Sequence, residues 1–275
     1  MTPTIHLVRH AQGFHNLSHA AEQIHDPSLT PLGEQQCANL RAAFPHHAKL
    51  TKLLASPMRR TVYTCINAFG RDDLPPIIAL PEFQEISHQP CDVGSPVPKV
   101  SAEFAGKADY SHVEETWCEK GVNSPYEPTL EKLLARGKKG RLTLREAAGN
   151  GDDHILLVTH GGFLHFMTDD WQGVDADQAT GWLNCEYRSY QFVDPTGKDE
   201  EAALRETDES WTRRQGSTIP LTATEQRELR PLMIEKMGSY LHLINGVGSE
   251  TVSNAISIDR SGGEYTQRPV RESHL

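Results

Sequence analysis

The stretch "ILLVTH", residues 155–160, carries four consecutive apolar side chains, Ile155 to Val158, and then closes on Thr159 and His160. A strand with no polar alternation is buried on both faces, as a central strand is in a parallel sheet covered by helices. The run is too short for a membrane span and is followed by a glycine pair, which argues for a strand over a helix. "GGFLHFMTDDW", residues 161–171, then predicts a helix that starts where the strand stops.

Working outward, the same rhythm repeats. "IHLVRHAQGFHN", residues 5–16, puts a short, mostly apolar run, Ile5–Val8, ahead of Arg9 and His10. Pro31-Leu32-Gly33 opens a segment with Cys37, Leu40 and Phe44 at helical spacing. "KLLAS" (52–56) reads as a strand with a helix over about 59–69 behind it, "PIIALPEF" (76–83) as another strand, and "YRSYQFV" (187–193) as an alternating one. Strands that alternate with helices predict an α/β layered domain around a largely parallel sheet. In such sheets ligands bind beyond the carboxyl ends of the strands, which is where the polar residues of these stretches fall. The core domain is placed at 1–193, and 194–275 is read as a charged extension, partly helical or flexible, with an amphipathic patch near 223–245 and a polar end, "SGGEYTQRPVRESHL". Between about 87 and 127 the periodicity breaks down into Pro, Gly, Ser and His, which marks either a lid or substrate loop or a surface excursion.

Composition limits the function classes. The chain has 275 residues, a formal net charge of -10 and five scattered cysteines without CxxC spacing. That charge disfavours nucleic acid and anionic membranes as partners, while a local arginine cluster still admits a small anionic substrate. The cysteine pattern fits free thiols, and no signal-peptide pattern or span-length apolar run is visible, so the reading is a cytoplasmic protein.

Four separated stretches hold the chemistry: Arg9-His10-Ala11-Gln12 with Asn16 beyond it, Ser56-Pro57-Met58-Arg59-Arg60-Thr61 with Thr64, Glu85 in "FQEIS", and His160 in "VTHGG". Guanidinium forks match phosphate oxygens, a neutral imidazole is a nucleophile toward phosphorus, and a carboxyl group can protonate a leaving alkoxide. The set resembles the histidine phosphatase superfamily, in its phosphoglycerate mutase-like branch. Arg9-His10-Ala11 matches the family's Arg-His-Gly loop, "LTPLGEQQ" (29–36) its Leu-Thr-x-x-Gly stretch, Ser56 to Thr64 its Ser-Pro-Leu-x-Arg-Ala-x-x-Thr pattern, Phe83-Gln84-Glu85 the proton-donor segment, and His160-Gly161 the second histidine. "HAQGFHN", "CDVGS" (91–95) and "NCEYRSYQF" (184–192) look most like the branch's fungal phosphatase-like members.

The resemblance implies a three-layer α/β/α sandwich with a mostly parallel central sheet. It implies a metal-independent phosphatase without a cofactor, acting on a small phosphorylated substrate as a phosphate monoester. His10 is then the nucleophile that forms a phosphohistidine, Glu85 the proton donor, and Arg9, Arg60 and His160 the clamp on the phosphoryl oxygens, with Asn16 as a further donor. Homo-oligomerisation is left open. Ala11 stands where the family usually has Gly, which would matter only if the loop needs positive φ there. Nothing after Asn16 resembles the Thr-Gly substrate segment of sugar-phosphate mutases, which favours hydrolysis. The alternatives are a phosphomutase, a phosphoryl-ligand binding protein with little hydrolysis, and a pathway-specific phosphatase acting on an unusual phosphate or diphosphate ester.

Several residues get a plainer reading. Arg59 is read as a solvated helix residue or rim contact, His15 as a pocket or structural residue, and Asp92 as a turn former ahead of Gly94 or an assistant to Glu85. "RGKKGR" (136–141) is read as a solvated helix end or turn, because two glycines weaken a helix, with binding of a polyanionic substrate as the alternative. A His10/His15/His160 metal site is disfavoured for want of a carboxylate or Cys partner at ligand spacing.

Overall fold

In a computed structural model describing residues 2–149, 151–174 and 180–245, seven strands form one sheet. They are β1 (Thr4–Arg9), β2 (Leu50–Ala55), β3 (Ile77–Ala79), β4 (Ala108–Asp109), β5 (His154–Thr159), β6 (Tyr187–Phe192) and β7 (Leu204–Glu206), in the spatial order β4-β3-β2-β5-β1-β6-β7. β4, β3, β2, β5 and β1 run parallel, while β6 is antiparallel to β1 and β7 to β6. The helices are α1 (Pro31–Ala43), α2 (Arg59–Phe69), α3 (Val97–Glu103), α4 (Leu130–Ala148), α5 (Gly161–Thr168), α6 (Asp208–Gln215) and α7 (Ala223–Ile244).

Side-chain alternation along the central strands splits the core into two layers. Val8, Leu53, Ala55, Leu156 and Val158 face α1, α2 and α3. Ile5, Leu7, Leu54, Ile155 and Leu157 face α4, α5 and α7. All six residues of β5 are buried, as its unbroken apolar run requires. Each buried Val, Leu or Ile side chain, taken from water, contributes about 1.5–3 kcal/mol, so the sheet is held from both faces: the three-layer α/β/α sandwich expected from the sequence.

The insertion of β5 between β1 and β2 decides where the chemistry lies. Arg9 is level with Thr159 across the β1–β5 pair, so His10 and His160 leave the sheet side by side, joined by His10 N–H to the Thr159 carbonyl at 2.9 Å. Ala55 is level with Val158, which brings Ser56 and the first turn of α2 to the same edge.

Three readings change against the structure. "RGKKGR" lies in the middle of α4 and is no helix end: Arg136 and Arg141 are buried, and a Cβ on Gly137 would come within 2.3 Å of the Phe166 carbonyl on α5. Gly137 permits a close crossing of α4 and α5, Gly140 makes room for the Phe83 ring, and packing outweighs their weak helix propensity. The 87–127 segment is no surface excursion, for Val100, Phe104, Tyr110 and Trp117 are buried in the first core layer and β4 edges the sheet. Beyond residue 193 the chain continues the sheet as β7, and α7 packs Met233, Met237 and Leu241 into the second layer. The amphipathic patch at 223–245 is α7, and the polar end "SGGEYTQRPVRESHL" lies outside the described residues. No helix among the described residues is long and apolar enough to cross a membrane. All five cysteines are free.

Candidate active site

The loop after β1 is held from three sides. Asn184 Nδ2 donates to the His10 carbonyl at 2.9 Å, Cys185 N–H to the Arg9 carbonyl at 3.1 Å, and Ala11 N–H to Thr64 Oγ1 at 3.0 Å. Thr64 Oγ1 donates in turn to the Arg60 carbonyl at 2.7 Å, which ties the loop to the first turn of α2. Ala11 is fully buried and is not among the residues with positive φ, so alanine replaces glycine there without backbone strain.

Arg60 is the hub. It is fully buried, and its Nε donates to His10 Nε2 at 3.3 Å, Nη1 to the Cys91 carbonyl at 2.6 Å, and Nη2 to both Asp92 Oδ1 at 2.9 Å and His160 Nδ1 at 3.0 Å. Guanidinium cannot accept a hydrogen bond, so both imidazole atoms facing it carry lone pairs. The tautomers follow. His10 places its proton on Nδ1, donating to the Ala11 carbonyl at 2.7 Å, and leaves Nε2 nucleophilic. His160 places its proton on Nε2, donating to Ser56 Oγ at 2.9 Å. The two rings lie edge to face with centroids 5.2 Å apart. Burial first, and then the Arg60 charge, hold both imidazoles well below the ordinary histidine pKa, so both are neutral near pH 7.

Arg9 is half-buried, with Nη1 donating to the Trp182 carbonyl and Nε buried without a partner among the described residues. Its pKa is lowered by burial, against the pull of Glu85 and Glu186. An unpaired buried N–H of this kind is costly unless a ligand oxygen meets it.

Glu85 reaches the amino end of α5, where Oε1 accepts from Phe163 N–H at 2.9 Å and from Ile86 N–H at 3.0 Å, and Oε2 from Gly162 N–H at 3.3 Å. A Cβ on Gly162 would lie 2.8 Å from Glu85 Oε1, so the glycine after His160-Gly161 makes room for this carboxyl group. Burial and the neighbouring Asp92 raise the Glu85 pKa, against the opposing effects of Arg60 and of the Ile86 and Gly162 N–H groups.

Asn16 is exposed on a single 3-10 turn, and its Oδ1 accepts from Gly13 N–H at 3.0 Å, so it braces the loop that follows His10. His15 lies beside His10 with ring centroids 5.4 Å apart, its Nδ1 buried without a partner among the described residues, and burial with Arg60 and Arg9 lowers its pKa to about 2. Arg59 points elsewhere, bonded through Nε to both oxygens of Glu103. Asp92 is no mere turn former: besides Arg60 it accepts from Ser87 Oγ at 2.6 Å, and so it orients the hub. Ser56, quoted in a motif but given no role from sequence, accepts the His160 Nε2–H that the Arg60 contact leaves on that nitrogen. Lys120, a lone lysine in an irregular stretch, had no sequence signal at all; it is buried and donates to the Glu85 and Ser87 carbonyls. Among the described residues, no group of three or more His, Cys, Asp or Glu is disposed to hold a metal ion.

The family model described as "Histidine phosphatase superfamily (branch 1)" matches residues 5–208. The "Phosphoglycerate mutase-like protein" of Arabidopsis thaliana is 31% identical over 238 residues, covering 70% of this chain and 84% of the relative. A second protein of that plant, "Phosphoglycerate mutase-like protein 1", is 28% identical over 234 residues, covering 70% of this chain and 81% of its own length. In fold, the chain is similar to the ecdysone phosphate phosphatase from Bombix mori, solved with tungstate, with a TM-score of 0.52 at 14% identity over 70% of this chain and 93% of the other.

Proposed function

The chain belongs to the histidine phosphatase superfamily, branch 1, and from that footing we propose that it hydrolyses a phosphate monoester through a phosphohistidine on His10. The observation that carries the reading is the fixed tautomer: Nδ1–H is spent on the Ala11 carbonyl, so the Nε2 lone pair is the free nucleophile and faces the Arg60 guanidinium. When a phosphoryl group enters, the Arg60 Nε–H exchanges Nε2 for a phosphoryl oxygen, and Nε2 attacks phosphorus opposite the ester oxygen. The ester P–O bond breaks as the Nε2–P bond forms, and Glu85, whose pKa burial and Asp92 raise, gives a proton to the departing oxygen. In the second half Glu85 takes a proton from water, the hydroxide oxygen attacks phosphorus, and the Nε2–P bond breaks to release inorganic phosphate.

A loose phosphoryl transition state spreads charge over three oxygens, and placed cations stabilise it. Arg60 and the Arg9 Nε–H, which has no partner among the described residues, supply that charge. His160, neutral in this state, orients Arg60; a phosphate dianion beside it would raise its pKa and add a further donor. With this cationic set the reaction assigns no step to a metal. Asn16 acts by bracing the loop, with its amide NH2 left over for substrate.

The test is a rapid quench with an aryl phosphate labelled on phosphorus. Label bound to the wild-type protein in acid-labile, alkali-stable form, and absent from His10→Ala, is the expected result. Label retained by His10→Ala overturns the assignment. Release of the label as inorganic phosphate, and not onto a second hydroxyl, separates a phosphatase from a phosphomutase in the same experiment.

A further inference from the structure

The 87–127 segment sends one polar side chain under the proton-donor loop. Lys120 is 5% exposed, and its Nζ donates to the Glu85 carbonyl at 3.0 Å and to the Ser87 carbonyl at 2.8 Å. Those carbonyls lie two residues apart on the main chain, and each residue's side chain serves a different arm of the site. The Glu85 carboxyl group rests on the amino end of α5. Ser87 Oγ donates to Asp92 Oδ2 at 2.6 Å, and Asp92 Oδ1 holds Arg60 Nη2 at 2.9 Å. One lysine nitrogen thus fixes the backbone from which both the acid arm and the phosphate-clamp arm depart.

No carboxylate of the described residues lies within ion-pair distance of Lys120, so the two carbonyls are its recorded polar partners. Burial pushes its pKa down to about 7. A neutral amine still carries two N–H donors, the number needed for two carbonyls, so the tie survives loss of the charge. Arg136 of α4 is a second leg, its Nη1 donating to the Gln84 carbonyl at 2.8 Å and Nη2 to the Glu85 carbonyl at 3.2 Å. Losing Lys120 therefore loosens the donor segment without releasing it.

We propose that Lys120 is a positioning residue for Glu85, acting through the Glu85 and Ser87 carbonyls, and that it sets how well the enzyme turns over esters with poor leaving groups. The inference rests on Glu85 being the proton donor. Proton donation matters most for a poor leaving group and least for a good one, and small misplacements of a catalytic group cost rate steeply.

The experiment measures kcat and KM for an alkyl phosphate and for p-nitrophenyl phosphate in wild type, Glu85→Gln, Lys120→Met and Lys120→Arg, with melting curves to check folding. Expected are a strong fall in the alkyl-to-nitrophenyl kcat ratio for Glu85→Gln and about a tenfold fall for Lys120→Met with KM little changed. Lys120→Arg, which keeps the donors, recovers most of the ratio. A wild-type ratio in folded Lys120→Met, alongside a lost one in Glu85→Gln, overturns the role of Lys120. A wild-type ratio in Glu85→Gln instead overturns the donor assignment on which it rests. If Lys120→Met does not fold, Lys120→Leu, which likewise carries no donor, replaces it: a ratio below that of Lys120→Arg supports the proposal, and a wild-type ratio overturns it.

Discussion

β1 and β5 carry buried histidines toward both ends. At their carboxyl ends stand His10 and His160, bridged by Arg60. Toward their amino ends, His6 Nε2 and His154 Nδ1 share a proton at 2.9 Å, His6 Nδ1 meets Ser189 Oγ at 2.9 Å, and the His46 ring stacks on His6 at 5.2 Å. Phe44 closes that group edge-on, 5.0 Å from His6. Burial drives His6, His10 and His160 alike toward the neutral form. Neutrality therefore does not distinguish the two groups; their neighbours do. Around His10 a guanidinium oriented by a buried carboxylate offers N–H donors that a ligand can take over. Around His6 the ring nitrogens are spent on each other and on a hydroxyl, which leaves a satisfied core network.

The comparison breaks most directly by exchanging the groups' fates. His10→Ala is expected to lower kcat/KM on an aryl phosphate by about a thousandfold or more, as loss of a covalent nucleophile does. His6→Phe, in the second group, is expected to keep turnover within about twofold of wild type. Steady-state kinetics beside melting curves decide it: a folded His6→Phe that has lost turnover would sink the distinction.

A finer cut separates orientation from charge. Asp92→Asn keeps one oxygen for the Arg60 hub but removes the carboxylate that fixes it. The expected loss in kcat/KM is about ten- to a hundredfold, with weaker binding of inorganic phosphate as a product inhibitor. Phosphate inhibition unchanged from wild type would mean that Arg60 is held by the Cys91 carbonyl and the two histidines alone.

Both histidine groups were visible as letters, and the sequence singled out His10 and His160 through the motif stretches that also hold Arg9, Arg60 and Glu85. β5 was readable because burial on two faces leaves an unbroken apolar run, β6 because it alternates, and α2 because it begins at Arg59, right behind a strand and its Ser-Pro turn, whereas the short strands β4 and β7 were not read. The motif residues His10, Arg60, Glu85 and His160 do meet at one edge of the sheet, since the β1–β5–β2 order puts those strand ends level. What stayed hidden depends on contacts distant in sequence. Gly137 reads as a helix breaker until the Phe166 carbonyl is seen against it, and Asp92 reads as a turn until Arg60 arrives from 32 residues away. Lys120 has no local pattern to announce it, because its partners are main-chain carbonyls, which any sequence would supply.

The smallest expected effect concerns stability, and it sharpens what the second group is for. His6 titrates at about 3 in the folded chain against 6.5 for an ordinary histidine, lowered by burial first and then by His154 and His46. Between those values the unfolded chain holds a proton that the folded chain does not. Stability therefore rises with pH through this window and falls as pH drops from 6.5 toward 3. The slope is about 1.4 kcal/mol per pH unit for each such group. His10 and His160 add slopes of the same sign, so wild type is acid-sensitive at both ends of the strands. His6→Phe removes one contribution. Urea unfolding at pH 6.5, 5.5 and 4.5 should give a stability-against-pH line shallower than wild type by about that amount. The slope carries the argument: the variant also leaves Ser189 and His154 without a partner, which moves the whole line, and only a change of slope reports the proton. Equal slopes in the two proteins would mean that the His6 group opens to water in acid well before the protein unfolds.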